Sequence, residues 1–252
     1  MTGAQDTVRL WLVSDQRSGP ALADLLAVLD PEERLRADAY RSDDDRRRFV
    51  VAHGAVRHIV GRRLGVAPEE IRWRHGPHGK PELAGRHTGA EVNLSHWEAV
   101  ALVAVSASRR VGVDVQRVLP IPRLNATAMA ERYFPPEEAR FVRETADPDS
   151  RADRFARLWA RKEALVKAHG GRLTQGLRIP LLDSSTGTGT HPADAWSHDY
   201  RVTDVPAPRG YRAAVALSGT EPFRVTPHRW TWPEPSCHPM GRTSDPSDQP
   251  TV

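Results

Sequence analysis

Val111-Gly112-Val113-Asp114-Val115-Gln116 decides how this chain folds. Valine recurs at every second position, and successive side chains on a strand face opposite ways. Val111, Val113 and Val115 therefore point into a core. Asp114 and Gln116 point together to the other side, with Gly112 leaving room beside them. Two oxygen donors at that spacing suit a hard cation such as Mg²⁺, which takes oxygen ligands and keeps water or phosphate oxygens in its shell. From spacing alone, an edge strand with a solvated polar face is the commoner arrangement.

Outward from this strand the chain reads as helices and short strands. Downstream, residues 150–169 form the strongest helical pattern, with Phe155, Leu158, Trp159, Leu165 and Val166 as its apolar stripe. Residues 123–145 also look helical, interrupted at Pro135-Pro136, and strands are expected at 177–182, 198–205 and 211–218. Upstream, 99–106 reads as a strand, 43–64 as an Arg-rich helix, 71–75 as a short strand and 8–13 as the first strand. Leu22–Leu29 reads as a helix, and another opens at Asp30-Pro31-Glu32-Glu33, with a capping acid, proline at the first position and acids in the first turn. Each half thus carries a long Arg-rich helix, a following glycine and short strands. The pattern predicts an α+β protein of two similar, pseudo-symmetric lobes, each a small sheet packed on a long helix, meeting at a cleft. The lobes are assigned to residues 1–106 and 107–232. Residues 233–252 contain five prolines and few apolar side chains, and are read as a disordered tail.

Composition narrows the function. The 252 residues carry 36 basic and 32 acidic side chains, for a net charge of +4. That balance is weak support for nucleic-acid binding, and suits an acidic protein or a phosphorylated small molecule equally well. No apolar run approaches the ~18 residues of a membrane span, and the first residues show no apolar signal core. The single Cys237 excludes an internal disulfide and a cysteine-rich zinc site. Together these features predict a cytoplasmic protein with neither nucleic-acid nor membrane partners.

Only Lys80, Lys162 and Lys167 are lysine, against 33 arginines, and all three fall inside motifs. Glu163 and Lys167 lie four apart on one helix face, a common surface pair. Lys162 sits on or beside the buried stripe, where its ammonium needs a partner or a solvated cleft. Gly79-Lys80-Pro81 lacks the spacing of a phosphate-cradling Walker loop but can hold Lys80 toward an anion. Val92-Asn93-Leu94-Ser95-His96 places a hydroxyl beside an imidazole, which fits a phosphate contact or a turn with locally bonded Asn and Ser. No Gly-x-Ser-x-Gly nucleophile elbow occurs.

Taken in order, Gly79-Lys80-Pro81, Asn93-Leu94-Ser95-His96, Gly112-Val113-Asp114 and Trp159-x-x-Lys162-Glu163-Ala164-x-x-Lys167 resemble the Sfp-type 4′-phosphopantetheinyl transferases of the Trp-x-x-Lys-Glu-Ala subgroup. The resemblance runs from about residue 30 to 218. It implies a monomer that moves phosphopantetheine from coenzyme A to a serine of an apo acyl or peptidyl carrier protein and releases 3′,5′-ADP. It implies Mg²⁺ on Asp114 and Glu163, with Gln116 at a position where many members have Glu. It further implies Glu163 as general base, Lys167 at the pyrophosphate, and Lys80, Ser95, His96 and Lys162 as coenzyme A contacts. Arg36 and Arg48 fall where the family often has basic residues for the 3′-phosphate. A carrier-docking face is expected over 117–140, with Leu124, Met129 and Phe134 as its apolar contacts or as plain core. A Mg²⁺-dependent phosphatase or nucleotide hydrolase built on the same acids, and an Arg-rich nucleic-acid binder without catalysis, are the alternatives.

Overall fold

The computed structural model describes residues 6–14, 19–85, 89–119, 125–182, 186–187 and 200–231. The expected Pro-rich tail and Leu124 lie outside them.

Two four-stranded sheets pack face to face, each covered on its outer side by a 22-residue helix. The first sheet has the order β10-β1-β5-β4, from Phe223–Trp230, Asp6–Ser14, Val100–Ser106 and Glu91–Trp97. The second has the order β6-β9-β8-β7, from Val111–Arg117, Tyr211–Ser218, Tyr200–Val205 and Thr186–Gly187. A small hairpin pairs β2 (Trp73–His75) with β3 (Pro81–Leu83).

Helix α3 (Asp43–Leu64) covers the first sheet, and α6 (Pro148–His169) covers the second. Both begin with a side-chain cap, Ser42 and Asp147, and both end at a left-handed glycine, Gly65 (φ 70°) and Gly170 (φ 81°), a conformation that glycine adopts without a Cβ clash. Between the sheets, Val8, Leu10, Leu102 and Ala104 meet Val111, Val113, Val115, Val215 and Leu217. The alternation read from residues 111–116 is therefore the interface between the lobes.

The remaining helices are α1 (Gly19–Ala27) and α2 (Pro31–Asp38) on the α3 side, then α4 (Ala126–Tyr133), α5 (Pro136–Arg143) and α7 (Leu173–Gly176) around α6. Asp30 and Glu33 form the capping box expected of Asp-Pro-Glu-Glu. Helix 123–145 is split where Pro135-Pro136 breaks it.

Three expectations change. Residues 177–182 form no strand; they pack irregularly against α6 through Leu177, Ile179 and Leu181. Residues 91–97, read in part as a turn, are strand β4. Finally, 223–230, grouped with the second lobe, returns to pair in parallel with β1 at the edge of the first sheet. Pro227 is tolerated there because an edge strand leaves one side of its ladder unpaired.

Candidate active site

The site forms where the edge strands of the two sheets, β4 and β6, meet beneath α6. Gly112 makes the approach possible. A Cβ at this position would lie 2.0 Å from the Ala164 carbonyl and 2.3 Å from the Ala168 amide. With hydrogen there instead, β6 lies directly on α6, and Asp114, one pleat further, faces the helix surface that carries Glu163 and Lys167.

Side chains from β4 tie the junction together. Asn93 Oδ1 accepts from the Val113 amide at 2.9 Å, and Ser95 Oγ accepts from the Val115 amide at 3.2 Å. These are amides on the edge of the second sheet, and each buried one needs an acceptor. Ser95 Oγ also donates to Asp114 Oδ1 at 2.8 Å. Lys167 Nζ donates to that same oxygen at 2.6 Å and to Ser95 Oγ at 3.1 Å. Asp114 Oδ2 is buried with no hydrogen-bond partner. Burial raises the Glu163 carboxyl above its ordinary range. The Lys167 charge works against this shift, and the neighbouring Asp114 charge adds to it.

A cavity of about 250 Å³ opens beside this cluster in the first lobe, lined among others by Arg36, His53, Trp73, His75, Asn93 and His96. Arg36 lies over the Phe49 ring, and Phe49 stacks on His53. Desolvation holds the His96 imidazole below its ordinary pKa, and the charges of His53, Lys167 and Arg36 act in the same direction. Beneath the cavity, the fully buried Arg57 donates to Glu33 at 2.6 Å, to Asp30 at 2.5 Å and to the Pro68 and Ile71 carbonyls. It neutralises the two wall carboxylates from behind and fixes α2, and with it Arg36.

Ser95, Asp114, Glu163 and Lys167 thus converge, with His96 and Arg36 along the adjoining cavity. Ser95 and His96 are neighbours on a strand and face opposite sides, so the structure does not join them as one clamp. Arg48 does not line this cavity; it pairs with Asp45 at 3.0 Å and flanks His96 on the other side. Gln116 is buried next to Asp114, and its amide nitrogen reaches the Arg117 carbonyl at 3.4 Å.

Lys162 and Lys80 hold the frame. Lys162 is fully buried, paired with Glu138 at 2.6 Å and donating to the Ile179 carbonyl at 2.6 Å, so α5 rather than a ligand supplies its partner. Lys80 reaches Glu91 at 3.4 Å and the Val111 and Ala168 carbonyls at 3.2 Å each, joining the β2–β3 hairpin to β6 and the end of α6. Three donors on a compact head meet three acceptors, a task a planar guanidinium does not perform. Phe134 is core, stacked on Phe155, and Met129 packs against the same cluster. The docking contact expected of Phe134 is therefore interior packing, whereas Met129 is only partly buried. Asn93, expected in a turn or as part of the Asn-Leu-Ser-His motif and given no role of its own, instead clamps β6. Its strand role was detectable from the polar residues at 93 and 95, two apart with apolar residues between them.

Two helix-covered sheets thus meet at a junction that carries buried carboxylates and a lysine. A family model described as the 4′-phosphopantetheinyl transferase superfamily matches residues 110–216, the stretch from the start of β6 into β9. The chain is 33% identical over 233 residues to the 4′-phosphopantetheinyl transferase HetI of Nostoc sp., covering 91% of this chain and 94% of that protein. It is 26% identical over 156 residues to the 4′-phosphopantetheinyl transferase Sfp of Bacillus subtilis, with 62% and 65% coverage. It is 28% identical over 157 residues to the human L-aminoadipate-semialdehyde dehydrogenase-phosphopantetheinyl transferase, with 58% and 50% coverage. The chain belongs to the 4′-phosphopantetheinyl transferase superfamily. It is an enzyme of the class that transfers phosphopantetheine to carrier proteins.

Proposed function

We propose that this enzyme takes phosphopantetheine from coenzyme A, places it on a serine of an apo acyl or peptidyl carrier protein, and depends on Mg²⁺. The single observation that carries the reading is the Asp114 carboxylate. One oxygen is held by Ser95 and Lys167, while the other is buried without a partner beside the desolvated Glu163. A buried, unpartnered carboxylate oxygen is costly unless a cation meets it. Among the described residues no three His, Cys, Asp or Glu side chains group as metal ligands. Mg²⁺ does not require such a group, because it is commonly held by one or two carboxylates plus water and substrate phosphates. Asp114 and Glu163 would hold it, with Gln116 next to them. Bound there, it would neutralise charge on the pyrophosphate.

The chain's own groups account for the rest. The cavity with Arg36, His53, His75 and His96 offers cations and ring edges to the nucleotide end of coenzyme A. In the transfer, the carrier serine oxygen forms a bond to the phosphorus that bears pantetheine. The bond from that phosphorus to the bridging pyrophosphate oxygen breaks, and 3′,5′-ADP leaves. Glu163, made more basic by burial, takes the serine proton. Lys167 uses two of its three N–H directions on Asp114 and Ser95, leaving one for an oxygen of the departing phosphate. Charge neutralisation and alignment are what such a transfer needs most. The reading carries with it a monomer acting in the cytoplasm. No helix among the described residues is long and apolar enough to cross a membrane. The test is to incubate the protein with coenzyme A, Mg²⁺ and an apo carrier and weigh the carrier.

A further inference from the structure

At the edge of the first sheet opposite β4, about 14 Å away across three strand spacings, lies a second cavity that the transfer does not use. Its volume is about 560 Å³. It is lined by Arg9 and Trp11 of β1, Ile59, Arg62 and Arg63 at the end of α3, and His228, Arg229, Trp230 and Thr231 at the end of β10. Four arginines and a histidine line it, and no carboxylate among the described residues does. The Arg9, Arg63 and Arg229 guanidinium groups make no hydrogen bond or ion pair with any described residue. That sets them apart from most of the described arginines. Arg46, Arg109 and Arg161, for example, each hold a carboxylate. Like charges gathered without counter-charge repel one another, and a bound anion relieves the repulsion.

The cavity also has a ring platform. Trp11 and His228 are register partners on β1 and β10, with ring centroids 5.0 Å apart and planes 24° apart. His228 is exposed and Trp11 is half-buried, so the stack has a face open to a further flat ring. The volume falls in the range of small-molecule sites, roughly 300–1,000 Å³, and the walls are concave. These features favour a small ligand over a flat protein face.

We propose that this cavity is a second anion site, separate from the Asp114 cluster, for a phosphorylated ligand with a planar ring, of the nucleotide class. The phosphates meet Arg9 and Arg63, which lie on the same face of the sheet as Trp11 and His228 and whose planar forks match phosphate oxygens, and the ring extends the Trp11–His228 stack.

The test titrates ATP, tripolyphosphate and adenosine into the full-length protein by calorimetry, alongside the R9E/R63E and W11L variants. The expected result is saturable ATP binding that weakens at least tenfold when either the ring or the phosphates are missing. R9E/R63E should abolish it, and W11L should reduce ATP to the level of tripolyphosphate. Carrier modification by R9E/R63E should stay at the wild-type rate, which separates this site from the transfer machinery. Should the charge reversals fail to fold by circular dichroism, R9Q/R63Q replaces them with the same expectation. Four outcomes would overturn the proposal: no ATP binding; equal binding of ATP and tripolyphosphate; ATP binding that persists in the double variant and is displaced by coenzyme A; or binding of an acidic peptide but not ATP, which would mark a protein-docking face instead.

Discussion

Ser95 Oγ stands 2.8 Å from Asp114 Oδ1 while accepting the amide of Val115 at 3.2 Å, so one hydroxyl fixes both a strand junction and a site carboxylate. Removing it leaves a buried amide and a carboxylate oxygen each one partner short, at a cost of about 1–3 kcal/mol. S95A should melt several degrees lower than the wild type and need more Mg²⁺ for half-maximal transfer. S95T, which keeps the oxygen, should recover most of both. Equal Mg²⁺ half-saturation in S95A and wild type would show that the hydroxyl does not position Asp114.

Gln116 offers an amide where a third acid would strengthen the hold on a cation. Q116E should lower the Mg²⁺ concentration at half-activity and leave the rate at saturating Mg²⁺ similar. Titrations of the two proteins that superimpose would remove Gln116 from the metal's surroundings.

Glu163 sets the sign of a pH effect. Burial raises its pKa in the folded chain above 4.5, so the fold favours the protonated form. The stability this contributes is present below the unfolded value and is lost as pH rises through the folded one. A divalent cation held by the ionised carboxylate should offset that loss. Mg²⁺ should therefore raise the melting temperature more at pH 8 than at pH 4.5. A stabilisation independent of pH across that interval would mean that Glu163 does not meet the ion.

Lys162 illustrates what could be read in advance. Its place beside the stripe of Leu158, Trp159, Leu165 and Val166 showed that the ammonium required a partner. The partner is Glu138 on α5, 24 residues earlier in a separate helix, a pairing that no local pattern contains. K162A should lose about 3–5 kcal/mol by leaving Glu138 buried and unpaired, and K162M/E138L should regain much of it. The KM for coenzyme A in the double variant should stay near wild type. A large rise in that KM would restore Lys162 to the ligand.

The same division runs through the fold. Helices α3 and α6 and the alternation of β6 were legible because each is a local period. The parallel return of β10 to β1 was not, because Phe-Arg-Val-Thr-Pro-His-Arg-Trp at 223–230 is an edge strand with only weak apolar alternation and a proline. Residues 177–182 are apolar enough for a strand, yet they pack onto α6 as single residues. The grouping of Asp114, Glu163 and Lys167 was implied only by the family resemblance of the ordered motifs, since spacing alone left an edge strand and a common surface pair. The clamp of Asn93 and Ser95 on β6 appeared only once the two sheet edges were placed together.

The most direct test of the account weighs an apo carrier protein after incubation with coenzyme A, Mg²⁺ and either the wild type or E163Q. The account predicts a mass gain of one phosphopantetheine with the wild type and almost none with E163Q at saturating Mg²⁺. Phosphate release from coenzyme A without any gain in carrier mass, or an undiminished gain with E163Q, would contradict it.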